Sequence, residues 1–128
     1  MKQRIYVCGN EAVGLDAMPI RILPHLKKAL PEVDFLPFDP SENFPEDNPL
    51  YIIDAVLNLN GVSVIEDFEK LEDSPRVSVH DSDLGFHLKW MKKLGKLSRV
   101  VIFGVPAEGD LTQLEKELAA KIREFIPT

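Results

Sequence analysis

Three polar side chains stand where apolar, strand-like runs give out: Asp16 in the turn that follows IYVCGN, Asp54 closing LYIID, and His80 closing VSVH. In an open parallel α/β sheet the carboxyl ends of the strands share one rim, so residues distant in sequence meet there. Two carboxylates and an imidazole on one rim can ligate a metal through two oxygens and a nitrogen, leaving positions open for water or substrate ligands. They can equally work as general acid and base. With a metal polarising a carbonyl or a bound water, hydrolysis needs no serine or cysteine nucleophile, and either Asp16 or Asp54 can serve as the base.

Each residue also has a plain structural role to weigh. Asp16 suits the first turn of a helix, where the dipole favours an acid. His80 can satisfy a turn. Asp54 is harder to explain that way, because a carboxylate after an apolar run is costly to bury without a partner.

The elements that must position these groups follow from hydrophobic pattern and turn chemistry. Residues 4–8 are β-prone and end at Gly9-Asn10. A helix begins near Pro19, with Ile20, Ile22, Leu23, Leu26 and Leu30 as its apolar stripe, Pro24 in its early turns and Pro31 as its stop. Residues 33–38 form a short apolar run, and 39–49 a loop rich in proline and acid. The continuous apolar run 50–55 reads as a strand buried on both faces. Residues 62–68 suggest an extra strand or edge hairpin ahead of an acidic stretch.

A further strand is expected over 76–80, then a helix capped by Ser82 or Asp83, with Leu84, Leu88, Met91 and Leu94 on one face and Gly95 beyond it. Residues 100–105 form the most apolar strand, with Gly104 and Pro106 expected to break it. A closing amphipathic helix over 111–126 places Leu114, Leu118, Ile122 and Ile126 inside. Alternating strands and helices predict an α/β fold, a three-layer α/β/α sandwich around a mostly parallel sheet.

Composition bounds the rest. The chain has 128 residues, 45% hydrophobic and 28% charged, which fits one globular domain spanning 1–128. A net charge of -6, with 21 acids against 15 bases, argues against a nucleic-acid partner, and Lys27-Lys28 and Lys92-Lys93 belong to solvated helix surfaces. No apolar run approaches the ~18 residues of a membrane span, and no signal peptide is evident, so a cytoplasmic location is expected. Cys8 lies in an apolar strand and reads as a buried structural thiol. His25 and His87 fall within predicted helices and read as surface or half-buried residues, Trp90 as a partly buried anchor, and Glu66, Asp67, Glu69, Glu72 and Asp73 as a solvated face. A monomer is the expectation, since no apolar stripe remains beyond the core pattern.

The loop from Gly9 to Asp16 follows a strand and precedes a helix, yet it lacks the Lys-Ser/Thr pair of a P-loop and the GxGxxG of a dinucleotide site. An acid at Asp16 would repel an anion and suits a cation. Asn10 can bond the loop's own backbone and so steady Asp16.

These segments together resemble the hydrogenase maturation endopeptidases, which trim the C-terminal tail of the nickel-iron hydrogenase large subunit. Gly9-Asn10, four residues, then Leu15-Asp16 is similar to the family's GN-x4-D-[DE] opening; LYIIDAV resembles its strand ending in aspartate; SVHDSDLGFHLKW resembles its histidine turn and the helix after it; VVIFGVPAE resembles its penultimate strand. The four segments occur in the family's order and span nearly the whole chain. The resemblance implies a twisted five-stranded sheet between helices, with metal-binding roles for Asp16, Asp54 and His80 toward nickel already inserted in the precursor. Nickel, supplied by the substrate, and the hydrogenase large-subunit precursor are the implied cofactor and partner. Leu15 stands where the family has the first acid of a pair, and Ala17 where glycine is common. The chain is also shorter than typical members, in a region where a substrate-contacting loop would sit. A non-catalytic protein that grips a nickel-loaded partner through the same rim is the alternative, and a nucleotide-binding α/β module is disfavoured by the phosphate-loop mismatch.

Overall fold

The computed structural model describes residues 3–8, 17–37, 47, 49–56, 59–66 and 99–126. Five strands, β1 (Gln3–Val7), β2 (Val33–Pro37), β3 (Leu50–Ala55), β4 (Ser63–Ile65) and β5 (Val100–Val105), form one sheet in the order β2-β1-β3-β5-β4. The first three pairings across this order are parallel and β4 alone runs antiparallel to β5. Among the described residues two helices, α1 (Met18–Ala29) and α2 (Leu111–Phe125), accompany the sheet. The mostly parallel five-stranded α/β architecture expected from the sequence is therefore present.

Strand character tracks position in the sheet. All six residues of β3 and all six of β5 are buried, as their unbroken apolar runs require of central strands covered on both faces. The edge strand β2 alternates, with Val33 and Phe35 inside and Asp34 exposed, the pattern of a strand with one wet side. Of the run at 62–68, the described residues 62–66 hold a three-residue edge strand, half-buried throughout, and the rest lies outside the described residues. Gly104 does not break β5 as expected; it lies within the strand, paired on one side with Asp54 and on the other with Ser63.

Both described helices cover the same face of the sheet. Ile5, Val7, Tyr51, Ile53, Val101, Phe103 and Val105 meet Met18, Ile22 and Leu26 of α1 and Leu114, Leu118 and Ile122 of α2 in one core. Proline near the start of α1 fits a position whose N–H has no helical acceptor. The helix ends with Arg123 of α2 donating to the Ala29 carbonyl at 3.2 Å, which satisfies one of the acceptors a helix terminus leaves open. At the start of α2, Asp110 accepts the Thr112 N–H at 3.0 Å, preceded by Gly109 at φ 152°, where a side chain would be strained. Phe125 packs edge-to-face on Phe103, with ring centroids 6.3 Å apart, tying the helix end to the central strand.

The opposite face of the sheet is buried too: Cys8, Leu50, Ile52 and Ile102 are each at most 1% exposed. The strand expected over 76–80 and the helix expected through 84–94 lie outside the described residues.

Candidate site at the carboxyl rim of the sheet

The rim is assembled by register. Cys8 donates its N–H to the Ile53 carbonyl at 2.9 Å, and in a parallel ladder that bond pairs Cys8 with the residue after Ile53. Asp54 is paired in turn with Gly104, and Gly104 with Ser63. Partners in register share a face, so Cys8, Asp54, Gly104 and Ser63 make a row across four strands, on the side away from α1 and α2. On that side the carboxyl ends of β1, β3 and β5 present a thiol, a carboxylate and a bare glycine, and antiparallel β4 brings the hydroxyl of its first residue, Ser63, to the same rim.

Asp54 is the buried acidic side chain among the described residues, at 2% exposure. Its Oδ1 accepts the Ala55 backbone N–H at 2.8 Å. That bond holds the carboxyl group at the point where β3 ends. A carboxylate removed from water is costly to bury without hydrogen-bond partners. A carboxylate buried at the carboxyl end of a central parallel strand is a functional-site candidate.

Asp16 and His80 lie outside the described residues, so the convergence of the three predicted groups is not described. Among the described residues no three His, Cys, Asp or Glu side chains come together as a metal site. Cys8 is buried, as expected of a structural thiol. His25 is exposed on α1, with Nδ1 3.5 Å from Glu115 Oε2 on α2, a surface contact far from the rim row. Glu66, placed in the solvated acidic face, is exposed and pairs with Arg99 at 3.3 Å.

Pattern reading missed a polar contact on the same side as Asp54. Tyr6, paired in register with Ile52, donates its hydroxyl to Asp47 Oδ1 at 2.8 Å, and Arg4 Nη1 lies 3.8 Å from the same oxygen. Burial, then the bond to Asp47, raises the Tyr6 hydroxyl above its ordinary pKa, against an opposing effect of Arg4. The contact anchors the segment before β3 to β1. A tyrosine 41 residues from its partner leaves no periodicity by which to find it.

No protein-family model and no curated protein matches the chain. Its fold does match solved structures over nearly the full length. An endopeptidase from Escherichia coli, solved in solution, superposes with a TM-score of 0.66 at 18% identity, covering 97% of this chain and 94% of that one. The hydrogenase maturating endopeptidase HybD from E. coli gives 0.64 at 16% identity, covering 98% and 94%. The hydrogenase 3 maturation protease gives 0.57 at 18% identity, covering 96% and 88%. At such identities the likeness is one of fold. No described helix is long and apolar enough to cross a membrane.

Proposed function

We propose that this chain is an endopeptidase of hydrogenase maturation, which removes the C-terminal extension of a nickel-iron hydrogenase large-subunit precursor after nickel insertion. The observation that carries the reading is Asp54, a carboxylate 2% exposed at the carboxyl end of a central parallel strand, in a fold shared with HybD and the hydrogenase 3 maturation protease. Ligands of open α/β sheets gather at that rim. The sequence motifs resembling the same endopeptidases stand in the matching order, which supports the reading independently of the superposition.

In this reading the nickel belongs to the substrate. Asp16, Asp54 and His80 engage it through two oxygens and a nitrogen, a donor set that suits nickel and leaves positions for the precursor's own ligands. Asp54 or Asp16 then takes a proton from the attacking water while the metal polarises the reacting group. Recognition of a loaded metal gates cleavage, so an empty precursor is left intact.

The test is incubation of the purified protein with nickel-loaded and nickel-free precursor, followed by intact mass. Loss of a C-terminal peptide from the loaded form alone is the expected result. Stable complex formation with no mass change moves the protein to the binding-only alternative. Cleavage of both forms alike removes the role of nickel.

A further inference from the structure

The strand order forces an unusual crossing beside Asp54. β5 lies between β3 and β4, so the chain leaving β3 must pass over the carboxyl end of β5 to enter β4. It begins with Val56, whose N–H donates to the Val105 carbonyl at 2.9 Å. It then brings Leu59 over the same strand. A Cβ placed on Gly104 would stand 3.0 Å from Val56 Cγ2 and 3.3 Å from Leu59 Cδ1, inside the ~3.5–4.0 Å at which carbon atoms make good contact, and 3.4 Å from the Ser63 carbonyl oxygen, an ordinary contact. The crossing segment therefore occupies the volume that any other residue at position 104 would fill. Gly104 is the register partner of Asp54, so this seat is directly beside the carboxylate.

We propose that Gly104 is a positioning residue for Asp54: its missing side chain is a notch in β5 that lets the β3–β4 crossing seat against the sheet and keep the Asp54 carboxylate buried and bonded to Ala55. The role of that carboxylate in processing rests on the function proposed above; the notch itself does not. Adding a methyl at 104 displaces Val56, two residues beyond Asp54 and just past the end of β3, and close-packed interiors pass such shifts to their neighbours. Removing the Val56 methyls that meet it returns the space.

The experiment follows the Ala55 amide, which reports the bond to Asp54, by NMR hydrogen exchange in the parent, Gly104→Ala, Leu59→Ala and the double variant Gly104→Ala/Val56→Ala, alongside processing of nickel-loaded precursor. Gly104→Ala should speed Ala55 exchange by about tenfold or more while Leu118 and Ile122 on the far face keep their protection. The double variant should return most of that change, and Leu59→Ala should raise the exchange by a smaller factor. Processing should fall and recover in parallel with the exchange. Parent-like exchange in Gly104→Ala, or a rise shared equally by Leu118 and Ile122, overturns the notch. Should Gly104→Ala fail to fold, an unchanged Ala55 amide in Leu59→Ala overturns it alone. If the parent cleaves no precursor, the proposed function fails while the exchange series still decides the notch.

Discussion

The two faces of the sheet differ in what their burial serves. Toward α1 and α2 the strands contribute Ile5, Val7, Tyr51, Ile53, Val101, Phe103 and Val105, side chains whose removal from water stabilises the fold at about 25 cal/mol per Å². On the other face the amino-terminal halves of the central strands β3 and β5 remain apolar, through Leu50, Ile52, Val100 and Ile102, but the row ends in Cys8, Asp54 and Gly104. Burial is nearly complete on both sides, so depth alone does not mark the site. What marks it is a change of chemistry at constant burial, a carboxylate placed where a valine would be more stable. Such local departures from optimal packing gather at functional positions.

That contrast can be broken most severely on the helix face. Leu118, fully buried between α2 and the sheet, should not tolerate Leu118→Asp, which is expected to cost about 4 kcal/mol or more and abolish cooperative melting by circular dichroism. On the rim face a polar change should behave oppositely. Asp54→Asn is expected to reduce precursor processing by roughly 10²–10⁴-fold, the scale of losing a general base or a ligand, while melting at or above the parent temperature because a buried charge has been removed. Asp16→Asn and His80→Ala should show comparable losses with the fold intact. A processing rate unchanged in all three variants ends the three-residue site.

Smaller changes sharpen the distinction. Phe125→Ala removes the edge-to-face partner of Phe103 and part of the helix-face core; a loss of about 1–3 kcal/mol by urea denaturation is expected, with processing of the surviving folded protein unaltered. Asp110→Ala removes the cap of α2 and should cost about 1 kcal/mol by the same measurement. The smallest effect concerns alkaline pH. Because the Tyr6 hydroxyl is raised in the folded protein, its contribution to stability is present below the ordinary tyrosine value of about 10 and is lost as pH rises through the raised value. Tyr6→Phe should therefore flatten the decline of the melting temperature above about pH 10.

The elements with a strong local signal were legible. The closing helix, the central strands at 50–55 and 100–105 and the first helix with its proline start stand close to where pattern reading puts them, since each has either a long apolar run or a full helical stripe. Edges were less legible. Within the described part of the run at 62–68 the strand is Ser63–Ile65, because an edge strand is held by one neighbour and half-exposed, so its composition carries little pattern. Gly104 misled for a specific reason: glycine is a strand breaker by propensity, but here backbone pairing on both sides holds it in the ladder and the crossing chain fills the space above it.

Sequence by itself determined that this chain makes a mostly parallel α/β sheet, and that Asp54 closes one of its central strands, because both follow from local runs of residue types. Strand order was a tertiary matter. Whether β5 inserts between β3 and β4 depends on which strands bury the most surface beside one another, a property of no single segment. Only that insertion puts Gly104 beside Asp54, sends Val56 and Leu59 across the strand end, and leaves the carboxylate out of water with Ala55 for its backbone donor.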